Sequence, residues 1–348
     1  MKLFHNAIFY RPSAEEPVCR AMLVDNSKII EMYAEKPNLS GIEPVDLQAA
    51  YIYPGFIDTH THSFEGGLYL LGVDLGKAID LNDVFQILAA AKTLSGKVIA
   101  YNFDENRIVE KRFPTAAELD RIYPDIPVLL RRIDGHSCAI NSCAAIKINW
   151  EKSLPAGFSG VLRGSWNSQA SHWFHLDLND ETILLAYNRA AELGASKGYT
   201  TIHTMVGDVR SSQNHYPLLQ GNSNLFPLEY ILYPQNFNLD QAMEFGSSRI
   251  GGCLLADGSF GSHTAALHLP FDDQPDNRGM LYHSNDFWLQ FIRSAHTAGL
   301  QVAVHCIGDR AIDQILKCYE TVQQESPKDL RHEIIHNELT SDQMLDRE

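Results

Sequence analysis

ETILLAYNRAAELGASKG at 181–198 runs directly into YTTIHT at 199–204, so an amphipathic helical stretch ends on a glycine and is followed by a short apolar strand. The pattern repeats downstream. SNDFWLQFIRSAHTAG at 284–299 feeds LQVAVHCIGD at 300–309, and RAIDQILKCYETVQQES at 310–326 feeds HEIIHNE at 332–338. FPLEYILYP at 226–234 and GGCLLADG at 251–258 add two more strands, and GFIDTHTH at 55–62 precedes them all. Strands alternating with helices of about 10 to 15 residues predict an α/β protein with a parallel sheet. A TIM-like (β/α)8 barrel suits so many units, with GFIDTHTH as strand 1 and HEIIHNE as strand 6.

Working outward, residues 1–54 read as short strands split by turns (LFHNAIFY, CRAMLVDNSKIIEMYA turning at Asp25-Asn26, VDLQAAYIYP) and predict a small N-terminal β-layer, part of a β-sandwich. Residues 55–348 then form the barrel. Its series is interrupted at 65–180 by mixed signals (VIAYNFDE, TAAELDRIY, VLLRRIDGHS), read as an insertion over the barrel mouth. The Asn/Ser/Gln-rich stretch 211–224 reads as a surface loop, and His172 and His175 in SHWFH as surface residues.

Composition excludes several function classes. With 28 basic against 43 acidic residues the net charge is -15 and no Lys/Arg run interrupts it, which disfavours nucleic acid and anionic membranes as partners. No apolar run approaches the ~20 residues of a membrane helix. MKLFHNAIFYRPS lacks the apolar core of a signal peptide, and six cysteines show no CxxC spacing. The expectation is a cytoplasmic protein with reduced thiols acting on a small molecule.

The 15 histidines carry the chemistry. His60 and His62 end an apolar strand, and its period of two puts both imidazoles on one face, where two neutral nitrogens can converge on a cation. His305 ends LQVAVH and His336 ends EIIH, each at the strand end where barrel enzymes collect their functional groups. One such histidine is explained as well by a hydrogen bond in the rim. Four on three strand ends point to a metal.

PGFIDTHTH, FPTAAELDRIYPDIPVLLRRIDGHSCAINS, SGVLRG, GYTTIHT, LADGSFGSHTAAL, RGMLYHS, VAVHCIGDRAID and RHEIIHNEL occur in this order along essentially the whole chain. In these motifs the sequence resembles the amidohydrolase superfamily, in the branch similar to N-substituted formamide deformylases. The resemblance implies that His60, His62, His305 and His336 bind one or two divalent ions, most simply zinc. It also implies a metal-bound hydroxide that attacks the carbonyl of an amide or formamide of a small organic amine.

The sequence departs from that resemblance twice. Four residues before the Asp-Gly of strand 4 the family has a lysine whose carbamate bridges two metals; here the residue is Cys253. A thiolate can itself ligate zinc, while a small buried core residue explains Cys253 equally well. Second, 12 residues follow His336, whereas each further βα unit needs roughly 30. The reading is therefore a barrel of strands 1 to 6, without the strand-8 aspartate that moves the proton, catalytically silent or nearly so, and with open edges that favour association of copies. His203, at the end of strand 2, and His136, in the insertion, are placed near substrate by this reading, or else make ordinary rim and loop contacts. Asp257 and Asp309 each lie beside a glycine just after a strand, where a carboxylate orients a ligand from behind or simply makes a turn. Two rival readings are a mononuclear deaminase-type site, which suits the absent lysine, and a silent barrel kept for assembly, which the retained histidines oppose.

Overall fold

The computed structural model describes residues 1–12, 18–135, 137–176, 178–207 and 215–347. The chain divides into two compact units. The first is Met1–Ile57 with Gly198–Thr200, and the second holds the remaining residues.

In the first unit β1 (Lys2–Tyr10), β2 (Val18–Asp25), β3 (Lys28–Tyr33) and β4 (Glu43–Ile52) form a sheet in the order β3-β2-β1-β4. β1 is antiparallel to β2 and parallel to β4. The β2–β3 connection is the turn read at Asp25-Asn26. Asn26 and Ser27 both have positive φ (45° and 63°), the backbone that a tight two-residue hairpin loop demands. Leu3, Ala7, Phe9, Cys19, Ala21 and Leu23 are buried, while most alternate positions are not.

The second unit begins at Asp58, within β5 (Phe56–Thr61); α1 (Ser63–Leu71) comes next, and the insertion follows. Its strands β6 (Val73–Asp74), β7 (Val98–Phe103), β8 (Val128–Arg132), β9 (Ser137–Ile140) and β10 (Val161–Arg163) build a separate five-stranded sheet in the order β10-β9-β8-β7-β6. With them go α2 (Leu81–Ala89), α3 (Ala116–Asp120), α4 (Ser142–Lys147) and α5 (Gly164–His175). Leu88, Val98, Leu119, Val128 and Leu130 give this sheet its own apolar cluster, so it is an organised layer. α5 packs on β8, β9 and β10, and the Nε2 of His175 is sealed from solvent. The sequence reading of His175 as a surface residue is thereby corrected: helical spacing turns one polar edge of α5 inward.

The regular series then follows as α6 (Asp180–Ser196), β11 (Tyr199–Val206), α7 (His215–Gly221), β12 (Glu229–Pro234), α8 (Leu239–Glu244) and β13 (Arg249–Leu255). It continues as α9 (Asn285–Thr297), β14 (Gln301–Cys306), α10 (Asp309–Glu325), β15 (Glu333–His336) and α11 (Asp342–Leu345). Of the stretch read as a loop, 211–214 lies outside the described residues and 215–221 is helical. The Gly299 stop occurs as read: its φ is +79° and its N–H donates to the His296 carbonyl at 3.1 Å.

The six strands of the series form two sheets, β12-β11-β5 and β13-β14-β15; β11 runs parallel to β12, and β13, β14 and β15 run parallel to one another. β12 lies beside β13, and among the described residues no ladder joins the two sheets into a closed one. Along β14, Val302, Val304 and Cys306 face the helical cluster around Trp288, Ile292, Ile312 and Ile315. Ala303 on the other face joins Met205, Tyr233 and Ile335 in an inner cluster. No helix among the described residues is long and apolar enough to cross a membrane, and all six cysteines are unpaired.

Candidate metal centre

β5 delivers His60, and His62 follows one residue beyond its end; their ring centroids are 5.3 Å apart. The His60 ring lies 5.0 Å from that of His336, which lies 4.6 Å from His305. Four imidazoles from three strand ends therefore converge. His336 reaches this cluster against its parity: Ile334 packs outward and Ile335 inward, so regular alternation would send His336 outward. Its φ of +72°, followed by +52° at Asn337, breaks the pleat and turns the ring back. Left-handed backbone at such residues costs ~1 to 3 kcal/mol, and this is strain of the kind held at functional sites.

Cys253 joins through a bulge. Gly251 and Gly252 have φ of +100° and +89°, and the β13–β14 register shifts between Gly251 and Leu254. Neither glycine has room for a Cβ: at Gly252 it would sit 1.9 Å from the Met205 sulfur, and at Gly251 2.3 Å from the Ala303 carbonyl oxygen. One ligand atom each from His60, His62 and Cys253 then lie within 4.8 Å of one another, a span that one cation bridges. Cys253 also packs against the inner cluster, so both readings of it have a structural basis.

The fit to a cation rests on bare nitrogens. Both ring nitrogens of His60 are buried without a partner, as is Nδ1 of His305. The Nε2 of His305 lies 3.1 Å from the Gly258 carbonyl, which can only accept, so Nε2 carries the proton and Nδ1 presents its lone pair. Burial, followed by the charges of His62, His336 and His305, pushes the His60 imidazole down to about 4, which keeps it in the neutral form that a metal needs. Burial, followed by the nearby Glu65, pushes the Cys253 thiol up to about 11. Glu65, in the first turn of α1, escaped the sequence reading; its signal is its place three residues after His62.

The remaining candidates separate. Asp257 is fully buried and its carboxylate accepts from the backbone N–H groups of Ala266 (2.8 Å), Ile307 (3.0 Å) and Gly308 (2.8 Å). At 3.9 Å from the His305 Nε2 it is beyond hydrogen-bond reach, so it acts on His305 through the backbone it clamps. Asp309 accepts from the His268 N–H at 2.9 Å and anchors that loop. The placement of His203 near substrate is corrected. The strand runs on to Val206, and His203 meets the Tyr233 hydroxyl at 3.3 Å; that hydroxyl donates to Glu333 at 2.9 Å. Glu333 is the first residue of β15, so this polar layer lies at the opposite end of that strand from His336. His136 lies outside the described residues.

A family model described as "Amidohydrolase family" matches residues 43–347. The protein YtcJ of Bacillus subtilis (strain 168) is 25% identical over 99% of this chain and 70% of its own length. The N-substituted formamide deformylase of Arthrobacter pascens is 24% identical over 93% of this chain, which spans 66% of that relative. Among solved structures, an uncharacterized metal-dependent hydrolase from Pyrococcus horikoshii OT3 superposes with a TM-score of 0.84 and 25% identity, over 99% of this chain and 72% of that one.

Proposed function

The chain belongs to the amidohydrolase family, and from that membership we propose that it acts as a metal-dependent hydrolase on a carbon-nitrogen bond other than a peptide bond, in an amide or formamide of a small organic amine. The observation that carries this reading is His60: a half-buried imidazole with two unpartnered nitrogens, ringed by His62, His336 and His305. A buried polar atom left without a partner costs ~1 to 3 kcal/mol, and a bound cation removes that cost.

In this reading His60, His62, His305 and His336 hold a divalent ion, and Cys253 adds a thiolate. Imidazole with thiolate favours zinc over magnesium or calcium. The ion supplies Lewis-acid polarisation of the scissile carbonyl and lowers the pKa of water. The chain's own residues fix the geometry: the Gly258 carbonyl holds the His305 tautomer, and the left-handed turn at His336 aims its ring. Six unpaired thiols suit a cytoplasmic setting.

The test is to strip the protein of metal, reload it with zinc, and assay it against N-formyl and N-acyl amines while measuring metal content. We expect zinc uptake, with its loss in His60→Ala and His305→Ala, and any zinc-dependent release of amine should be lost in the same two variants. A folded chain that takes up no zinc with all four histidines intact rules the reading out.

A further inference from the structure

β8 ends in two arginines that leave the strand on opposite faces. Arg132 is saturated: its guanidinium meets Glu105 at 2.8 Å and Asp104 at 3.9 Å and also pairs with Asp134. Among the described residues Arg131 pairs with no carboxylate, and its Nε is buried without a partner. A shortage of acids does not explain this, since 43 acidic residues face 28 basic ones. A part-buried guanidinium without a counter-charge is costly, and a ligand can supply the missing charge.

The surroundings of Arg131 are equally unfinished. Asn167, Ser171 and His175 recur every four residues and so share one face of α5. Asn167 Nδ2 donates to the Gly135 carbonyl at 2.9 Å, and a Cβ on Gly135 would lie 2.9 Å from an Arg131 guanidinium nitrogen. Arg131 therefore lies beside the start of this polar edge. Asn167 Oδ1, Ser171 Oγ, His175 Nε2 and the Tyr101 hydroxyl are each buried without a partner. Lys97 adds a second cation, its Nζ donating to the Trp173 and Leu176 carbonyls at the end of α5. Burial, followed by the charges of Arg131 and Lys97, pushes the His175 imidazole down to about 4, which marks the local potential as positive. Hydroxyl and N–H donors around an unpaired guanidinium complement a planar anion with two acceptor oxygens.

α1 links this cluster to the metal centre. The Tyr101 ring stacks on Tyr69 of α1 with centroids 3.8 Å apart, and His62 is the residue that precedes α1. Glu65 in its first turn acts on both Tyr101 and Cys253. We propose that Arg131, with Asn167, Ser171 and His175, binds a carboxylate, and that this carboxylate is carried by the amide substrate of the metal centre. The second half rests on the hydrolase reading above; the first does not.

Calorimetric titration with N-acetylglycine, its methyl ester and acetate, on zinc-loaded and metal-free protein, tests both halves. We expect the acid to bind in preference to the ester. Arg131→Met should weaken binding of the acid by about 30-fold and leave the ester unchanged, while Arg131→Lys keeps part of the preference. The thermal midpoint of Arg131→Met should hold or rise, because an unpaired part-buried charge has been removed. Equal binding of acid and ester, or a preference that survives Arg131→Met, overturns the site. Acetate binding as tightly as N-acetylglycine overturns the assignment to an amide substrate. If the protein takes up no zinc yet keeps an Arg131-dependent preference, the carboxylate site stands and the hydrolase reading fails.

Discussion

Asp257 and Cys253 show how single residues divide the work at the candidate site. The Asp257 carboxylate takes three backbone N–H groups, including those of Ile307 and Gly308 just beyond His305. Asp257→Asn would aim an amide donor at those donors. We expect zinc affinity, measured by chelator competition, to fall ~10- to 100-fold. Asp309→Asn, at a carboxylate that accepts from the His268 N–H, should leave that affinity unchanged; equal losses in both variants would show a general loop effect. For Cys253 the question is ligand or packing. The cobalt-loaded protein should show a near-ultraviolet thiolate-to-cobalt band that Cys253→Ala lacks. Identical spectra would leave Cys253 as a member of the inner cluster only.

At the level of elements, strand ends here are shaped by backbone that departs from regular pleating. β13 bulges at Gly251 and Gly252, and β15 ends in left-handed His336 and Asn337. Gly252→Ala puts a methyl 1.9 Å from the Met205 sulfur at a φ of +89°, so overpacking and strain add. Urea unfolding should show a loss of ~2 kcal/mol or more, together with weakened zinc binding as Cys253 shifts. Gly66→Ala is the contrast: it lies inside α1, a Cβ there meets nothing within 4 Å, and helix propensity predicts a gain of ~0.5 to 1 kcal/mol. Equal destabilisation by the two would contradict this account of the bulge.

Over the whole molecule, burial sets the response to acid. His175, His215 and His332 are each pushed down to about 4, with burial the largest cause. His332 shows the mechanism. Its Nδ1 accepts from the Val302 N–H at 3.0 Å, so its proton is on Nε2, 2.8 Å from the His296 Nδ1. His296 in turn donates from Nε2 to the Ser326 carbonyl at 2.6 Å. A second proton on His332 would face the Val302 N–H. These imidazoles are neutral when folded and protonate near 6.5 when unfolded, so the unfolded chain binds more protons between pH 6.5 and 4. Their stabilisation is complete above pH 6.5 and is lost as pH falls toward 4, by up to ~1.4 kcal/mol per pH unit for each group. Glu118, held at about 2 chiefly by the Arg112 guanidinium, acts only below the usual carboxylate range and leaves this window to the histidines. Urea midpoints should hold from pH 7.5 to 6.5 and fall from there to pH 5; a midpoint constant down to pH 5 would contradict this assignment.

Much of this was legible in the residues themselves. Helix-glycine-strand periodicity located the six strands of the series, because burying one helical stripe and a whole strand leaves a pattern in neighbouring residues. Period two put His60 and His62 together for the same local reason. Long-range placement was not legible. The inward turn of His336 depends on two left-handed residues, and that of Cys253 on a bulge fitted against Met205 and Ala303. His203 has the look of a strand-end ligand, yet its partners Tyr233 and Glu333 come from strands 30 and more residues away. The alternation of Arg131 and Arg132 could be read from VLLRR; that carboxylates gather on one face only could not. Periodicity is a property of adjacent residues, whereas the partner of a buried polar group is chosen by which strands the fold brings side by side, and that choice was made by the tertiary structure alone.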